Sequence, residues 1–401
     1  MIAAVTAKVS THAPRDTPSP GRHPVVTARC ILGSDHSSCQ PPRFDSSLPP
    51  DLAATMTTTT IKRKKIDLGL QGGGAHGAFT WGVLHRLLQE QELDIVGISG
   101  TSAGAMNAVV LADGLAKDGR EGAIAALANF WRGVSNLGLL SPFKRTPWDV
   151  LFGRWSLDSS PYYALFDMMS HLVSPYDINP LNINPLRNLL EDAVDFERLR
   201  SSRQLKLFVT ATNVRSGAAR VFERKELTAD TVMASACLPY LFQAVEIDGE
   251  AYWDGGYTGN PSLFPLIHDT RADDLLIVQV NPLQRDEVPE DTRAILNRIN
   301  EITFNASLIK ELRGVALLGR LVRRNEVLDE RYRELNVHLI HGESCLERMS
   351  ASSKMNTEWA FFELLHDIGF DVASNWLAEN GEHIGQKSTL DFGDALFRWV
   401  D

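Results

Sequence analysis

Ile66-Asp67-Leu68-Gly69-Leu70-Gln71-Gly72-Gly73-Gly74-Ala75-His76-Gly77 decides how this chain is read. A short apolar run, Ile66 to Leu70, closes on a glycine cluster, the pattern of a buried strand entering a tight turn. From Ala75 to Glu90, apolar residues recur at helical spacing (Phe79, Val83, Leu84, Leu87, Leu88), which predicts a helix. The pattern then repeats. Asp94 to Ser99 reads as a second strand, Gly100-Thr101-Ser102-Ala103-Gly104 as a second turn, and Ala105 to Leu115 as a second helix. Strand, glycine turn and helix twice over predict an α/β protein with a mostly parallel central sheet.

Both turns carry chemistry. Residues 100–104 fit G-x-S-x-G, in which a serine on a sharp strand-to-helix turn projects its hydroxyl outward. The positive end of the following helix then faces the site. Gly72-Gly73-Gly74 places consecutive amides, unobstructed by side chains, where they can face an oxygen that becomes negative. Residues 72–77 also satisfy G-x-G-x-x-G. A dinucleotide fingerprint, however, needs an acid at the end of the next strand, and Asp94 stands at its start. Asp254-Gly255-Gly256 offers a carboxylate on a bend. Alone it reads as a turn aspartate; beside a nucleophile and oxyanion donors it is a candidate base. His268, His338, His341, His366 and His383 follow Asp254, so the order Ser…Asp…His is available. None sits beside a glycine-marked turn, and each reads as an ordinary histidine. His76, at a helix start, reads as a loop anchor.

Working outward, residues 1–60 hold Phe44 as their one aromatic and prolines from Pro14 to Pro50. They read as a disordered N-terminal extension, with Met56 an alternative start. Residues 61–285 read as the catalytic domain. Within it, 130–180 is an aromatic-rich, proline-broken insertion, cap-like or lid-like, whose Trp148 and Trp155 are candidate substrate contacts. Asn184-Pro185 opens a helix through Val194, and Leu205 to Val214 is a strand. Val232 to Ala236 is helical, and Leu275 to Val280 reads as the last core strand. Residues 286–401 read as a mainly helical region packed on the catalytic domain.

The net charge of -10 argues against a nucleic-acid binder, and no apolar run reaches the length of a membrane span. Cys30, Cys39, Cys237 and Cys345 match neither a disulfide framework nor a zinc pattern, so they read as unpaired thiols in a reducing compartment. The expected setting is cytoplasmic or peripheral at a membrane surface. No metal and no cofactor are expected, and the oligomeric state is open.

Gly72-Gly73-Gly74-Ala75-His76-Gly77, Gly100-Thr101-Ser102-Ala103-Gly104 and Asp254-Gly255-Gly256, in that order, resemble the motifs of the patatin-like phospholipases. Ala234-Ser235-Ala236-Cys237-Leu238-Pro239 resembles the family too, and the likeness covers about residues 66–282. The resemblance implies a three-layer α/β/α fold and a Ser–Asp dyad without histidine. Ser102 would be the nucleophile, Asp254 the base, and Gly72, Gly73 and Gly74 the oxyanion donors. The substrate would be a phospholipid or related acyl lipid, with a soluble carboxylesterase or polyester depolymerase as the alternative and a non-catalytic lipid-binding protein as a remote one. His76 stands where the family often has Arg or Lys.

Overall fold

The computed structural model describes residues 63–392, apart from 140, 171, 286, 328, 330, 331 and 348. The expected disorder of residues 1–60, the alternative start at Met56, and Cys30 and Cys39 lie outside the described residues.

The strands are β1 (Lys64–Leu70), β2 (Leu93–Gly100), β3 (Lys206–Asn213), β4 (Ala219–Glu223), β5 (Val245–Ile247), β6 (Glu250–Asp254), β7 (Asp274–Gln279) and β8 (Asn336–His341). They form one sheet in the order β5-β6-β3-β2-β1-β7-β8, with β4 paired to β3. The pairs β3/β2, β2/β1, β1/β7 and β7/β8 are parallel; β3/β4, β3/β6 and β5/β6 are antiparallel. β1 and β2 therefore lie side by side in the middle, and their glycine turns leave the same edge.

The layers follow from side-chain alternation along the strands. Ile66, Leu68, Leu70, Leu276 and Val278 pack into one core with the helices Gly77–Gln89, Ala103–Gly138 and Trp359–Asn380. On the opposite face Phe208, Leu275, Ile277 and Val337 meet residues of the helices Phe264–Asp269 and Thr292–Arg323. Helices on both faces of a mostly parallel sheet make the expected three-layer α/β/α architecture, and explain why the central strands read as continuous apolar runs.

Three readings need correction. Leu275 to Val280 is not the last core strand: β8 pairs in parallel with β7 over Asp274–Gln279. The second helix does not stop near Leu115. It is interrupted at Asp118 and Gly119, then resumes to Gly138, burying Leu127, Phe130 and Trp131. The irregular segment therefore begins after residue 138 rather than at 130. Within it, Pro147, Pro161 and Pro175 do not merely break helices. Each opens one, at the first position, where a missing N–H costs nothing. The predicted helix after Asn184-Pro185 forms as Pro185–Ala193, with Asn184 capping the Leu186 amide.

Candidate active site

Ser102 stands between β2 and the helix Ala103–Gly138, with φ 55 and ψ -123. A non-glycine residue at positive φ is strained, and such strain persists only where the surroundings impose it. Here they do. Thr101 N–H donates to the Leu70 carbonyl at 3.3 Å, Gly104 N–H to the Thr101 carbonyl at 2.8 Å, and Thr101 Oγ1 to the Gly259 carbonyl at 2.6 Å. A methyl group on Gly104 would come 2.3 Å from the Leu70 carbonyl oxygen, so only glycine lets helix and strand pass. The Ser102 amide itself donates to Ser235 Oγ at 2.9 Å. Ser235 belongs to the small-residue stretch noted in the sequence, which runs out of the helix Ala229–Ser235.

Asp254 reaches the same place from the other side of β3. Gly100 pairs with Val209, and Asp254 with Ala211, two residues further along β3. The Asp254 amide donates to the Cys237 carbonyl at 2.8 Å, and its carbonyl accepts from Thr212 Oγ1 at 2.8 Å. Its carboxylate accepts the Gly256 amide at 2.7 Å, and the Ser102 side chain lies near enough to lower its pKa. Burial raises the Asp254 carboxyl to about 7, against the lowering effect of the Gly256 amide and the Ser102 side chain. The structure thus brings Ser102 and Asp254 together. His338 pairs instead with Asp274 and Thr389, His366 with His85 and Asp367, and His268 with Asp269.

The glycine loop is more differentiated than its sequence. The Gly72 amide donates to Asn260 Oδ1 at 2.7 Å, so it is already engaged rather than an open oxyanion donor. The Gly73 and Gly74 amides have no protein acceptor among the described residues. His76 anchors the loop, with Nε2 2.7 Å from Ser353 Oγ. Burial, helped by Lys354, pushes its imidazole down to about 3, leaving it neutral. Gly77 packs against Ala103 and Trp131, and Gly255 against the Thr210 carbonyl, so both serve close approach.

The two candidate tryptophans part. Trp148 is 69% exposed and stacks on Phe152. Trp155 is a packing residue, stacked on buried Phe361 with the Arg145 guanidinium 3.9 Å above its ring. A cavity of about 620 Å³ lies behind Cys237, lined by Tyr176, Leu181, Met233, Phe242 and Val245 among others. Among the described residues no cluster of three or more His, Cys, Asp or Glu is arranged to hold a metal ion, and no helix is long and apolar enough to cross a membrane.

Asn260 and Asn281 were not visible as site residues in the sequence. Asn281 did leave a signal: it is a polar residue just after an apolar strand that ends at the sheet edge where parallel folds bind ligands.

The sequence profile described as Patatin-like phospholipase matches residues 68–267. No curated protein sequence matches. Among solved structures the chain is similar to VipD from Legionella pneumophila, at 15% identity over 79% of this chain and 67% of that one, with a TM-score of 0.38. It is also similar to the complex of full-length SpcU with full-length ExoU from the type III secretion system of Pseudomonas aeruginosa. There the identity is 17% over 66% of this chain and 59% of that one, with a TM-score of 0.23.

Burial of Asp254 has a cost that pH reveals. A carboxyl raised from 3.8 to about 7 on folding stabilises the fold only while protonated, so its contribution is lost as pH rises through about 7. Asp254→Asn never ionises. Its melting temperature is expected to gain on that of the wild type between about pH 4 and about pH 8, with a plateau above. A difference that stays flat with pH would contradict the burial argument.

Proposed function

Residues 68–267 belong to the patatin-like phospholipase family, a family of lipid acyl hydrolases, and from that premise we propose that this chain cleaves carboxylic esters of acyl lipids with Ser102 as nucleophile and Asp254 as its only side-chain base. The observation that carries the reading is the strained Ser102 turn beside Asp254, a buried carboxyl raised to about 7 and influenced by the Ser102 side chain. A base of that strength is matched to proton transfer near neutral pH.

In the proposed reaction Asp254 takes the Ser102 proton as Oγ attacks the ester carbonyl. The Gly73 and Gly74 amides face the resulting oxyanion, and the N-terminal end of the helix Ala103–Gly138 adds its dipole. As the tetrahedral intermediate collapses, the C–O bond to the leaving alcohol breaks and Asp254 returns the proton to that oxygen. Water then repeats the sequence. Asp254 takes its proton, hydroxide adds to the acyl carbon, and Ser102 leaves with the proton while the carboxylic acid departs.

An aggregated lipid substrate is supported by the segment after residue 138. It exposes Trp148, Leu151, Phe152, Leu172 and Leu181, the last at 80%. Soluble monomers seldom display apolar groups so densely without a partner surface.

Ser102→Ala and Asp254→Asn are each expected to lower ester hydrolysis by about a thousandfold or more, with the fold retained by circular dichroism. Because Asp254 must be ionised to act, kcat/KM should rise with pH through about 7 and fall below it. Full turnover in either folded variant contradicts the dyad. Phospholipid vesicles and a short soluble ester, assayed side by side, separate the lipid hydrolase from a soluble esterase.

The tryptophans give a second test. Trp148→Ala should cut hydrolysis of aggregated long-chain phospholipid several-fold, roughly the loss of one interfacial anchor, while sparing a short soluble ester and the melting temperature. Trp155→Ala should cost about 2–3 kcal/mol of stability and lower both activities together. Equal losses on both substrates for Trp148→Ala would contradict its assignment to the lipid surface.

A further inference from the structure

Behind the glycine loop lies a row of buried polar groups that the reaction above does not use. Gln71 Oε1 accepts the amides of Val280 at 2.9 Å and Asn281 at 2.8 Å, and its Nε2 donates to Asn305 Oδ1 at 2.8 Å. Asn281 Nδ2 donates to the Gly72 carbonyl at 2.7 Å. Lys354 Nζ donates to Asn281 Oδ1 at 2.6 Å. Gln71, Asn281 and Asn305 are almost wholly buried. Burial also draws the Lys354 ammonium down to about 8, with Glu301 opposing and Arg285 adding to that fall. Withdrawing so many polar groups from water is costly unless each finds a partner, and here each does.

The row converges on Gly72 and on the peptide that joins it to Gly73. Gly72 is held at both ends, its N–H by Asn260 and its carbonyl by Asn281. A trans peptide points its N–H opposite to its C=O. The bond from Asn281 to the Gly72 carbonyl therefore turns the Gly73 N–H away from Asn281, into a part of the loop where it meets no protein acceptor among the described residues. Gly73 and Ser102 are both half-exposed, and a methyl group on Gly72 would lie 2.7 Å from Ser102 Cβ. Hydrogen bonds in series polarise one another. A cation on Asn281 Oδ1 makes its Nδ2 a stronger donor, and a more polarised Gly72 carbonyl makes the Gly73 N–H a stronger donor in turn. His76 cannot supply this charge, because it is neutral and turned to Ser353.

We propose that Lys354 and Asn281 are positioning residues for the oxyanion: the chain Lys354–Asn281–Gly72 aims and polarises the Gly73 amide, which donates to the oxygen that turns negative when Ser102 attacks. The inference rests on Ser102 being the nucleophile. It makes the segment around Lys354, far outside residues 68–267, part of the catalytic apparatus.

The test compares Lys354→Met, Lys354→Gln and Asn281→Asp. The last can still pair with Lys354 but cannot donate to the Gly72 carbonyl. Each variant is measured for kcat and KM, and for melting temperature. Two ligands are titrated: an alkyl boronic acid, which becomes tetrahedral and anionic on the serine, and a non-hydrolysable ether lipid. The expected result is a fall in kcat of about tenfold to a hundredfold, with a parallel loss of boronic acid affinity. KM and ether-lipid affinity should stay within about twofold, since the ground state has no oxyanion. Lys354→Gln, which keeps a donor, should lose less than Lys354→Met; should the latter fail to fold, Asn281→Asp decides on its own. Wild-type kcat in the folded variants, or equal weakening of both ligands, overturns the proposal. Ser102→Ala run alongside keeps the two claims apart. Turnover that survives it removes the nucleophile assignment and this inference together. Turnover that needs Ser102 but ignores Lys354 and Asn281 removes this inference alone.

Discussion

The contact between Gly104 and the Leu70 carbonyl holds the rest of the site in place. It is possible only because position 104 lacks a side chain, and it brings the start of the helix Ala103–Gly138 against the end of β1. With β1 and β2 adjacent and parallel, both turns leave the sheet at one edge. Gly104 and the hydrogen bonds around Thr101 leave Ser102 no relaxed conformation. The strain is stored by the most deeply packed part of the molecule: Leu68, Leu70 and Ile98 are fully buried. A stable core thus supports an unfavourable local geometry, as functional sites commonly require.

Electrostatics completes what the backbone starts. A carboxylate beside Ser102 in water would be too weak a base to take a hydroxyl proton efficiently. Burial raises Asp254, while the Gly256 amide and the Ser102 hydroxyl hold it near neutrality instead of letting it rise further. The same burial makes the fold less stable whenever Asp254 is ionised. In the proposed mechanism that cost and the catalytic competence have one source. The loop that meets Ser102 is likewise held by polar side chains: buried Asn260 on one side, buried Asn281 and half-buried Lys354 on the other.

The parts legible in the sequence were those with a local cause. The two strand–glycine–helix units, the Asn184 cap and the motif around Ser102 each reside in a few consecutive residues, and the structure places them where the sequence indicates. What stayed hidden depends on distant partners. β8 reads Asn-Val-His-Leu-Ile-His, and nothing in that stretch tells that its His338 is wholly buried with Asp274, on the neighbouring strand, as its partner. The helix after Ser102 resumes beyond Gly119 because Phe130 and Trp131 find a core, which no spacing around Asp118 announces. Gly72, Gly73 and Gly74 are equivalent as letters; only the arrival of Asn260, 188 residues away, occupies the first. Trp148 and Trp155 likewise looked alike, and Phe361 separates them.

The central claim is that Ser102, with Asp254 as base, forms a covalent acyl-enzyme. The most direct test is intact-protein mass spectrometry after rapid acid quench of the enzyme with a slowly deacylating ester, followed by peptide mapping. The account predicts a mass increase equal to one acyl group minus one hydrogen, located on the peptide containing Ser102 and absent from the Asp254→Asn variant. An acyl group mapped to any other residue, or one that forms as fast without the Asp254 carboxylate, would contradict it.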